Sequence, residues 1–319
     1  MPHATASLPS ASTLLPDGIA VLERGWLSAN NILLTDPEGR FGAALVDSGY
    51  CTHAAQTVAL VQARLPPGAT LALLVNTHLH SDHCGGNAAL QAHFADLRTL
   101  IPPGQAALVR DWDPEALSYT PTGQDCPRFR FDGVLQPGRP LRLGGRAWQV
   151  HAAPGHDTHS VVLFDPESRV LISADALWEN GFGVVFPELE GEQAFADVAA
   201  TLDRIDALAP RIVIPGHGRV FTDVAGALAT ARRRLDGFVQ SPERHALYAA
   251  KVLLKYKLLE WQQAPEAQVR AWAAATPYFG LLHARHFGGT PFTDWTDELL
   301  SALEASGAAR RADGWLHNA

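Results

Sequence analysis

The chain has 319 residues, of which 47% are hydrophobic and 18% are charged, and its formal net charge is −8. This length and composition can fill a sizeable core, which excludes an intrinsically disordered or coiled-coil protein. The acidic balance gives no overall attraction for phosphate backbones, and no run of about eighteen apolar residues occurs, so we expect neither general nucleic-acid binding nor a membrane span.

The first residues and the cysteines indicate the cellular compartment. The N-terminus lacks the basic start and apolar stretch of a secretion signal, and the three cysteines, Cys51, Cys84 and Cys126, are an odd number. We therefore predict free thiols and a cytoplasmic protein. Residues 1–17 are predicted to form a flexible N-terminal segment.

The next part of the chain is rich in short β-type runs. Residues 18–23, 31–35 and 42–49 alternate with Gly, Asn, Asp and Pro turn residues and predict a strand meander. Residues 53–65 have apolar side chains at helical spacing, and residues 70–75 predict a buried strand after a Pro-Pro-Gly break.

The middle of the chain repeats this arrangement. An amphipathic helix is predicted at 192–208, and strands are predicted at 147–156, 160–165, 169–175 and 211–218. The conspicuous His and Asp residues come just after strands. In layered α/β proteins that edge is where loops bring ligands and catalytic groups together on a rigid frame.

From about residue 224 the sequence turns helical. A small hairpin is predicted over 307–318, and helices are predicted at 225–238, 242–261, 264–276 and 293–306. We therefore predict a catalytic domain at 18–224 and a helical, winged-helix-like C-terminal domain at 225–319. We found no internal repeat.

Four ligand-type side chains lie within six positions, in the run His-Leu-His-Ser-Asp-His at 78–83. Imidazoles with fewer carboxylates are the ligands of zinc and competing divalent ions. Side chains two apart in an extended segment point the same way, so His78 and His80 can hold one ion. Asp82 and His83 are neighbours, so the chain must turn there to direct either at a second ion. Gly85 and Gly86 permit that turn, and Asn87 is predicted to cap the helix that follows.

Three further candidates lie downstream, in "PGH", "SAD" and "PGHG", and an aspartate lies upstream in "LVDSG". With "HLHSDH", "PGH", "SAD" and "PGHG" in this order, and "LVDSG" before them, residues 18 to 222 resemble the metallo-β-lactamase superfamily. The resemblance implies an α/β fold of the αββα type, a four-layer sandwich of two mixed sheets with helices outside, to which the C-terminal helices are appended.

The resemblance also implies roles for individual residues. His78, His80 and His156 would bind one metal, Asp82, His83 and His217 the other, and Asp175 would bridge the two. Asp82 and Asp175 are the candidate catalytic residues, Asp47 would orient a ligand, and no separate organic cofactor site is predicted.

The implied function is that of a metallo-hydrolase with two divalent ions, in which a metal-bridging hydroxide attacks a small ester, thioester or lactone. Zinc is the metal expected first, and manganese and iron are the alternatives. A metal-dependent endoribonuclease and a mononuclear-iron persulfide dioxygenase are the alternatives. The predicted partner is a small-molecule substrate. The C-terminal helices are interpreted as a lid or homodimer element rather than a nucleic-acid-binding module, because the helix at 293–306 contains acidic residues and no Lys or Arg.

Several nearby residues have simpler interpretations. Cys84 is predicted to be a packed thiol rather than a ligand. His159 stands where the family usually has Gly, a difference that bears on the pocket wall. Trp178, Phe182 and Phe186 are candidates for an apolar substrate wall, with core packing as the alternative. The histidines at 93, 151, 245, 283 and 286 are interpreted as core or surface residues.

Overall fold

The computed structural model describes residues 14–319 of the chain. Of the predicted flexible segment, residues 1–13 lie outside the described residues. Each helix described over 14–319 is too short or too polar to cross a lipid bilayer.

The first sheet has six strands in chain order, with two antiparallel pairs followed by three parallel pairs. Its strands are β1 (Ile19–Leu22), β2 (Asn31–Leu34), β3 (Ala43–Val46), β4 (Leu71–Val75), β5 (Arg98–Ile101) and β6 (Gly133–Val134). The parallel pairs need long crossovers, which contain helices α1 (Ala54–Arg64), α2 (Ser81–Cys84), α3 (Asn87–His93) and α4 (Ala106–Asp111).

The second sheet has five strands, four of them in an antiparallel meander and the last parallel to its neighbour. Its strands are β7 (Pro140–Leu143), β8 (Arg146–Ala152), β9 (Val161–Asp165), β10 (Val170–Ala174) and β11 (Ile212–Pro215), in the order β11-β10-β9-β8-β7. Helices α5 (Phe186–Glu190) and α6 (Phe195–Leu208) lie in the crossover between β10 and β11.

The two sheets pack face to face. Val46 and Val75 of the first sheet share a buried cluster with Ile172 of the second. The neighbouring residues Leu45 and Leu74 point to the opposite face, where they pack with side chains of α1 and α3. Helix α6 covers the outer face of the second sheet. The predicted αββα sandwich is therefore confirmed.

The C-terminal part consists of five α-helices, a π-helical turn at His283–Phe287 and a small sheet. The elements are α7 (Val224–Gln240), α8 (Pro242–Trp261), α9 (Glu266–Ala275), α10 (Pro277–Leu282), α11 (Phe292–Ala305), β12 (Gln263–Pro265), β13 (Ala309–Ala312) and β14 (Trp315–Asn318). The predicted C-terminal hairpin is the antiparallel pair β13–β14, which β12 joins as a third strand. Helix α7 packs its apolar face onto the second sheet and α6. The domain boundary near 224 stays a prediction.

The region between residues 96 and 146 contains elements that the sequence did not predict. These elements are β5, β6, β7 and α4, each of six residues or fewer. β5 alternates exposed and buried residues over only four positions, and β7 begins with a proline. Such short segments contain too few positions for a periodic pattern to be recognised.

Candidate metal centre

The predicted ligand side chains come together at one edge of the sandwich, beyond the ends of strands from both sheets. The segment containing His78 and His80 follows β4, His156 follows β8, Asp175 directly follows β10, and His217 follows β11. These five side chains are therefore held just beyond the ends of rigid strands, as the sequence predicted, and Asp82 and His83 lie in the short helix α2.

The local backbone explains how consecutive residues face different groups of donors. His80 has extended backbone angles (φ −65°, ψ 149°), and helix α2 begins at the next residue. The change from extended chain to helix separates His78 and His80 from Asp82 and His83. Gly85 then lets the chain pass close to its neighbours, because a Cβ at this position would lie 2.6 Å from the Cys51 nitrogen.

The predicted capping role of Asn87 is wrong. Helix α3 begins at Asn87 itself, and its cap has no side-chain hydrogen bond. The buried Asn87 amide instead donates to Asn76 Oδ1 at 2.7 Å, and its carbonyl oxygen accepts from the Ser48 hydroxyl at 2.7 Å. The side chain joins two loops next to the ligand segment because it is buried among their polar groups.

The donor atoms form two clusters. One cluster contains His78, His80 and His156, and the other contains four residues, Asp82, His83, Asp175 and His217; within each, the donor atoms lie within 4.8 Å of one another. In the first, His80 Nδ1 and His156 Nε2 are 2.8 Å apart. In the second, His217 Nε2 is 3.0 Å from Asp82 Oδ2.

Asp175, a member of the second cluster, also lies close to the first. Its Oδ2 is 3.4 Å from His156 Nε2, and its Oδ1 is 3.4 Å from His83 Nε2. Gly216 makes room for this carboxylate, because a Cβ at position 216 would collide with Asp175 Oδ1 and lie 3.0 Å from His83 Cε1. The position suits the bridging role that the resemblance implied.

Buried ring nitrogens without partners test whether a metal fits here. His78 Nε2 and His83 Nε2 are buried and have no hydrogen-bond partner among the described residues. Leaving such groups unsatisfied is costly in a protein interior. Both residues belong to the clusters, where divalent ions would accept their lone pairs. The residues present therefore fit a metal centre.

Burial keeps the first cluster ready to bind metal. Burial lowers the pKa of His80 and of His156 to about 4, and it lowers the pKa of His78 well below its usual value. All three imidazoles are therefore neutral near pH 7, the form in which a histidine can bind a metal.

The second cluster has the opposite charge pattern. Burial alone would lower the pKa of His83, but the carboxylates of Asp175 and Asp47 raise it well above its usual value. Burial likewise opposes ionisation of Asp175, yet nearby His83 and His217 hold its pKa well below the usual range. This cluster therefore carries carboxylates that stay ionised and can balance the charge of a cation.

Hydrogen bonds from outside the clusters orient the rings. Asp47 Oδ2 accepts from His83 Nδ1 at 2.8 Å, and Oδ1 accepts from the Thr77 backbone N–H at 2.8 Å. His78 Nδ1 lies 3.2 Å from the Thr77 hydroxyl oxygen, and His156 Nδ1 donates to the Val184 carbonyl oxygen. Such contacts would fix which ring nitrogen faces a bound metal. The contact with His83 fits the orienting role that the resemblance implied for Asp47, and that role stays a prediction.

Comparison with known proteins identifies the family. The family model described as "Metallo-beta-lactamase superfamily" matches residues 24–217, which include all seven predicted ligands. The chain belongs to the metallo-beta-lactamase superfamily. The resemblance recognised from the five motifs is thus confirmed.

Curated relatives of this superfamily member share part of its length. It is 34% identical over 157 residues to a hydroxyacylglutathione hydrolase of Synechococcus sp. (strain JA-3-3Ab), covering 48% of this chain and 51% of the relative. It is 29% identical over 163 residues to the human acyl-coenzyme A thioesterase MBLAC2, covering 47% of this chain and 57% of the relative. The chain thus spans about half the length of these two relatives.

Solved structures of the superfamily extend the fold match. A beta-lactamase domain protein from Burkholderia ambifaria superposes with a TM-score of 0.57 at 20% identity, covering 99% of this chain and 96% of that one. TTHA1623, solved in a di-iron-bound form, superposes with a TM-score of 0.52 at 28% identity, covering 66% of this chain and 98% of that one. The first match includes the C-terminal helices, so the fold is shared over nearly the whole chain.

The cleft above the clusters has walls that the sequence did not predict. Trp26, at the mouth, stacks on the His217 ring with an interplanar angle of 6° and a centroid distance of 5.3 Å. Tyr248 and Tyr256, both on α8, also line the cleft. Trp26 precedes His78 by 52 positions, and Tyr248 and Tyr256 follow His217 by 31 and 39 positions, so none of the three belongs to a ligand motif. Only the two tyrosines carry a pattern signal, a shared helix face.

Of the three candidates for an aromatic wall, two line the cleft and the third follows the alternative of core packing. Trp178 and Phe186 line the cleft, and the Trp178 indole donates to Asp175 Oδ1 at 3.2 Å. Phe182 is 1% exposed and packs against Phe238 at a centroid distance of 6.2 Å, so it belongs to the core. The loop after β10 turns Phe182 inward beneath α7.

The simpler interpretations agree with the positions of the other residues. Cys84 Sγ lies 3.2 Å from the Tyr119 hydroxyl oxygen and 3.7 Å from Cys126 Sγ, among buried side chains rather than in either donor cluster. His159 lies against Gly104 and also belongs to neither cluster. His245 is buried and accepts a hydrogen bond from the Val185 N–H at 3.1 Å.

Proposed function

We propose that this member of the metallo-beta-lactamase superfamily is a hydrolase that uses two divalent metal ions to cleave a small ester, thioester or lactone. Zinc is the metal that we expect first, and a thioester is the substrate class that we expect first. The observation that carries the proposal is the pair of donor clusters with Asp175 between them at the base of a cleft. The hydroxyacylglutathione hydrolase and acyl-coenzyme A thioesterase among the relatives support a thioester.

The two clusters divide the ligands between the ions. His78, His80 and His156 would hold one ion, Asp82, His83 and His217 the other, and Asp175 would contact both. Two divalent ions held by these residues would supply a hydroxide nucleophile near neutral pH and electrostatic stabilisation of the developing negative charge.

The chain's own groups prepare the site for this chemistry. Asp82 lines the cleft, its side chain is 13% exposed, and its pKa is lowered by His83 and His217 against the effect of burial. In this proposal the Asp82 carboxylate orients the attacking water and accepts its proton at Oδ. The Trp178 indole holds Asp175, while Asp47 holds His83.

Two observations favour a small organic substrate over RNA. The cleft is lined by aromatic and aliphatic side chains next to the donor clusters. In the run Arg232 to Arg234, Arg232 is paired with Asp203 and Asp206 at 3.0 and 2.9 Å, so its charge is already balanced. Nucleic-acid binding depends on clustered basic charge that can reach phosphates.

The arrangement of the C-terminal part supports a role in substrate binding. We propose residues 18–224 as the catalytic domain and 225–319 as a second domain that closes one side of the cleft. Tyr248 and Tyr256 of α8 reach the cleft from this second domain. The cytoplasmic location and the homodimer stay predictions.

The test combines metal content with activity. The full chain would be purified without chelator, analysed by plasma mass spectrometry and assayed with acyl thioesters, esters and lactones. We expect about two zinc ions per chain and thioester hydrolysis. Asp175→Ala should lose metal and at least about 100-fold in kcat/KM. The matched control is Asp236→Ala, an exposed residue of α7.

Other outcomes would replace the proposal. One iron per chain with persulfide oxidation would identify a dioxygenase, and salt-dependent cleavage of single-stranded RNA would identify an endoribonuclease. A folded chain without metal and without hydrolysis would refute a metal-dependent enzyme.

A further inference from the structure

A second cavity continues the metal-centre cleft along helix α8. The two share Trp26, Tyr248, Val252 and Tyr256, so together they form one open groove. The second cavity has a volume of about 350 Å³. This is within the usual size of a small-molecule site.

The groove follows one face of the helix. Tyr248, Val252, Tyr256 and Leu259 are spaced by four, four and three positions, which places them in line on α8. Eleven residues of helix correspond to about 16 Å. Leu303 and Ser306, at the end of α11, form the opposite wall. The groove therefore runs along α8 and opens to the metal-centre cleft at one end.

Its lining is apolar even where lysines occur. The Lys255 ammonium donates to the carbonyl oxygens of Ala308 and Ala319 at 2.6 and 2.9 Å, so its charge is used to tie α8 to the C-terminal strands. Both Lys255 and Lys251 line the groove, where the methylenes of a long lysine side chain can add apolar surface while its ammonium stays outside. Removing an apolar chain from water is the interaction that this lining favours.

A polar cleft on the other side of Trp26 and Tyr248 indicates which part of the substrate would lie in the groove. This cleft contains Arg219, which pairs with Glu179 at 2.8 Å, and Arg234, whose guanidinium carbon lies 5.1 Å from the centre of the Tyr248 ring. A polar leaving group fits this side better than the groove. The bond to be cleaved would then lie between the two, over the donor clusters.

We propose that the α8 groove binds the apolar acyl chain of the substrate, so that the enzyme selects carboxylic thioesters or esters of aliphatic acids longer than acetate. This inference rests on the proposed hydrolase function and adds the substrate class. The groove walls, rather than the metal ligands, determine the preferred chain length.

The experiment compares acetyl and octanoyl thioesters of N-acetylcysteamine with the full, metal-loaded chain. Each buried methylene contributes up to about fourfold in transition-state binding. The octanoyl thioester should therefore exceed the acetyl thioester in kcat/KM by well over tenfold. Calorimetric titration with octanamide and acetamide gives a second readout that requires no hydrolysis, and octanamide should bind more tightly.

Three variants locate the effect. Val252→Trp fills the groove beside the cleft, and Ser306→Trp narrows it from an exposed position that no core packing depends on. Each should lower the octanoyl-to-acetyl ratio by about tenfold or more and weaken octanamide binding. Val239→Trp is the matched control, because Val239 is 56% exposed on α7 and lines neither cavity.

The outcomes separate the two proposals. Hydrolysis without a chain-length preference, or a preference that neither groove variant changes, would overturn the groove and leave the hydrolase intact. No hydrolysis, with octanamide binding that both groove variants weaken, would uphold the groove and refute the hydrolase. Neither hydrolysis nor octanamide binding would refute both.

Discussion

Replacement of Asp47 tests whether a residue outside the donor clusters determines metal affinity. Asp47 is 1% exposed, and its carboxylate accepts three hydrogen bonds at 2.8 Å, from His83 Nδ1, the Thr77 N–H and the Thr77 hydroxyl. Its φ of 58° lies in the left-handed region, which asparagine tolerates better than most residues. Asp47→Asn therefore changes the charge with little backbone strain.

The expected effect has two parts. An asparagine amide can present only one oxygen, so at least one of the three buried donors loses its acceptor, at a cost of about 1 to 3 kcal/mol in unfolding free energy. The His83 ring also loses the anion that fixes its tautomer, which should weaken metal binding by about 10- to 100-fold. Asp47→Ala removes all three acceptors and should destabilise the fold further, by about 3 kcal/mol or more.

The assay is competition for zinc between the protein and a fluorescent chelator, with denaturant unfolding of the metal-free proteins measured in parallel. Asp236→Asn provides the control for an exposed aspartate. A zinc affinity of Asp47→Asn within twofold of the natural chain would refute the reasoning, because the contact with His83 would then have no effect on the metal.

Three further predictions concern metal, thiols and pH. Removal of metal with a chelator should lower the melting temperature, since a ligand at about 100 times its Kd stabilises the folded state by about 2.7 kcal/mol; an unchanged melting temperature would contradict a resident metal. Iodoacetamide at pH 8 should label Cys84 only after unfolding, because the thiol is fully buried and burial raises its pKa; peptide mapping that finds rapid labelling of the native chain would contradict this position. Hydrogen bonds from Arg311 lower the pKa of Glu266 from 4.5 to about 2, so the pair should stabilise the fold above pH 4.5 and lose this effect as the pH falls towards 2. The unfolding free energies of the natural chain and of Glu266→Gln should differ by on the order of 1 kcal/mol at pH 7 and become equal near pH 2. Free energies that differ equally at both pH values would contradict a stabilising ion pair.

The sequence alone determined the class of the site. Histidines at 78, 80 and 83 with Asp82 form a short run whose ligand chemistry is evident from residue type and spacing, and the later motifs kept the order typical of the family. The long strands and helices were also predictable, because each contains enough residues for a periodic pattern. Both signals are local, so no knowledge of packing was needed.

Only the tertiary structure decided which residues surround the metal centre. Trp26 stacks on His217 across 191 positions of sequence, and α8 reaches the cleft because its apolar face packs beside the sandwich. Phe182 turned out to be a core residue although its neighbours Trp178 and Phe186 line the cleft. The walls of the cleft depend on how distant elements pack and on which way a loop turns, and neither is encoded in the spacing of neighbouring residues.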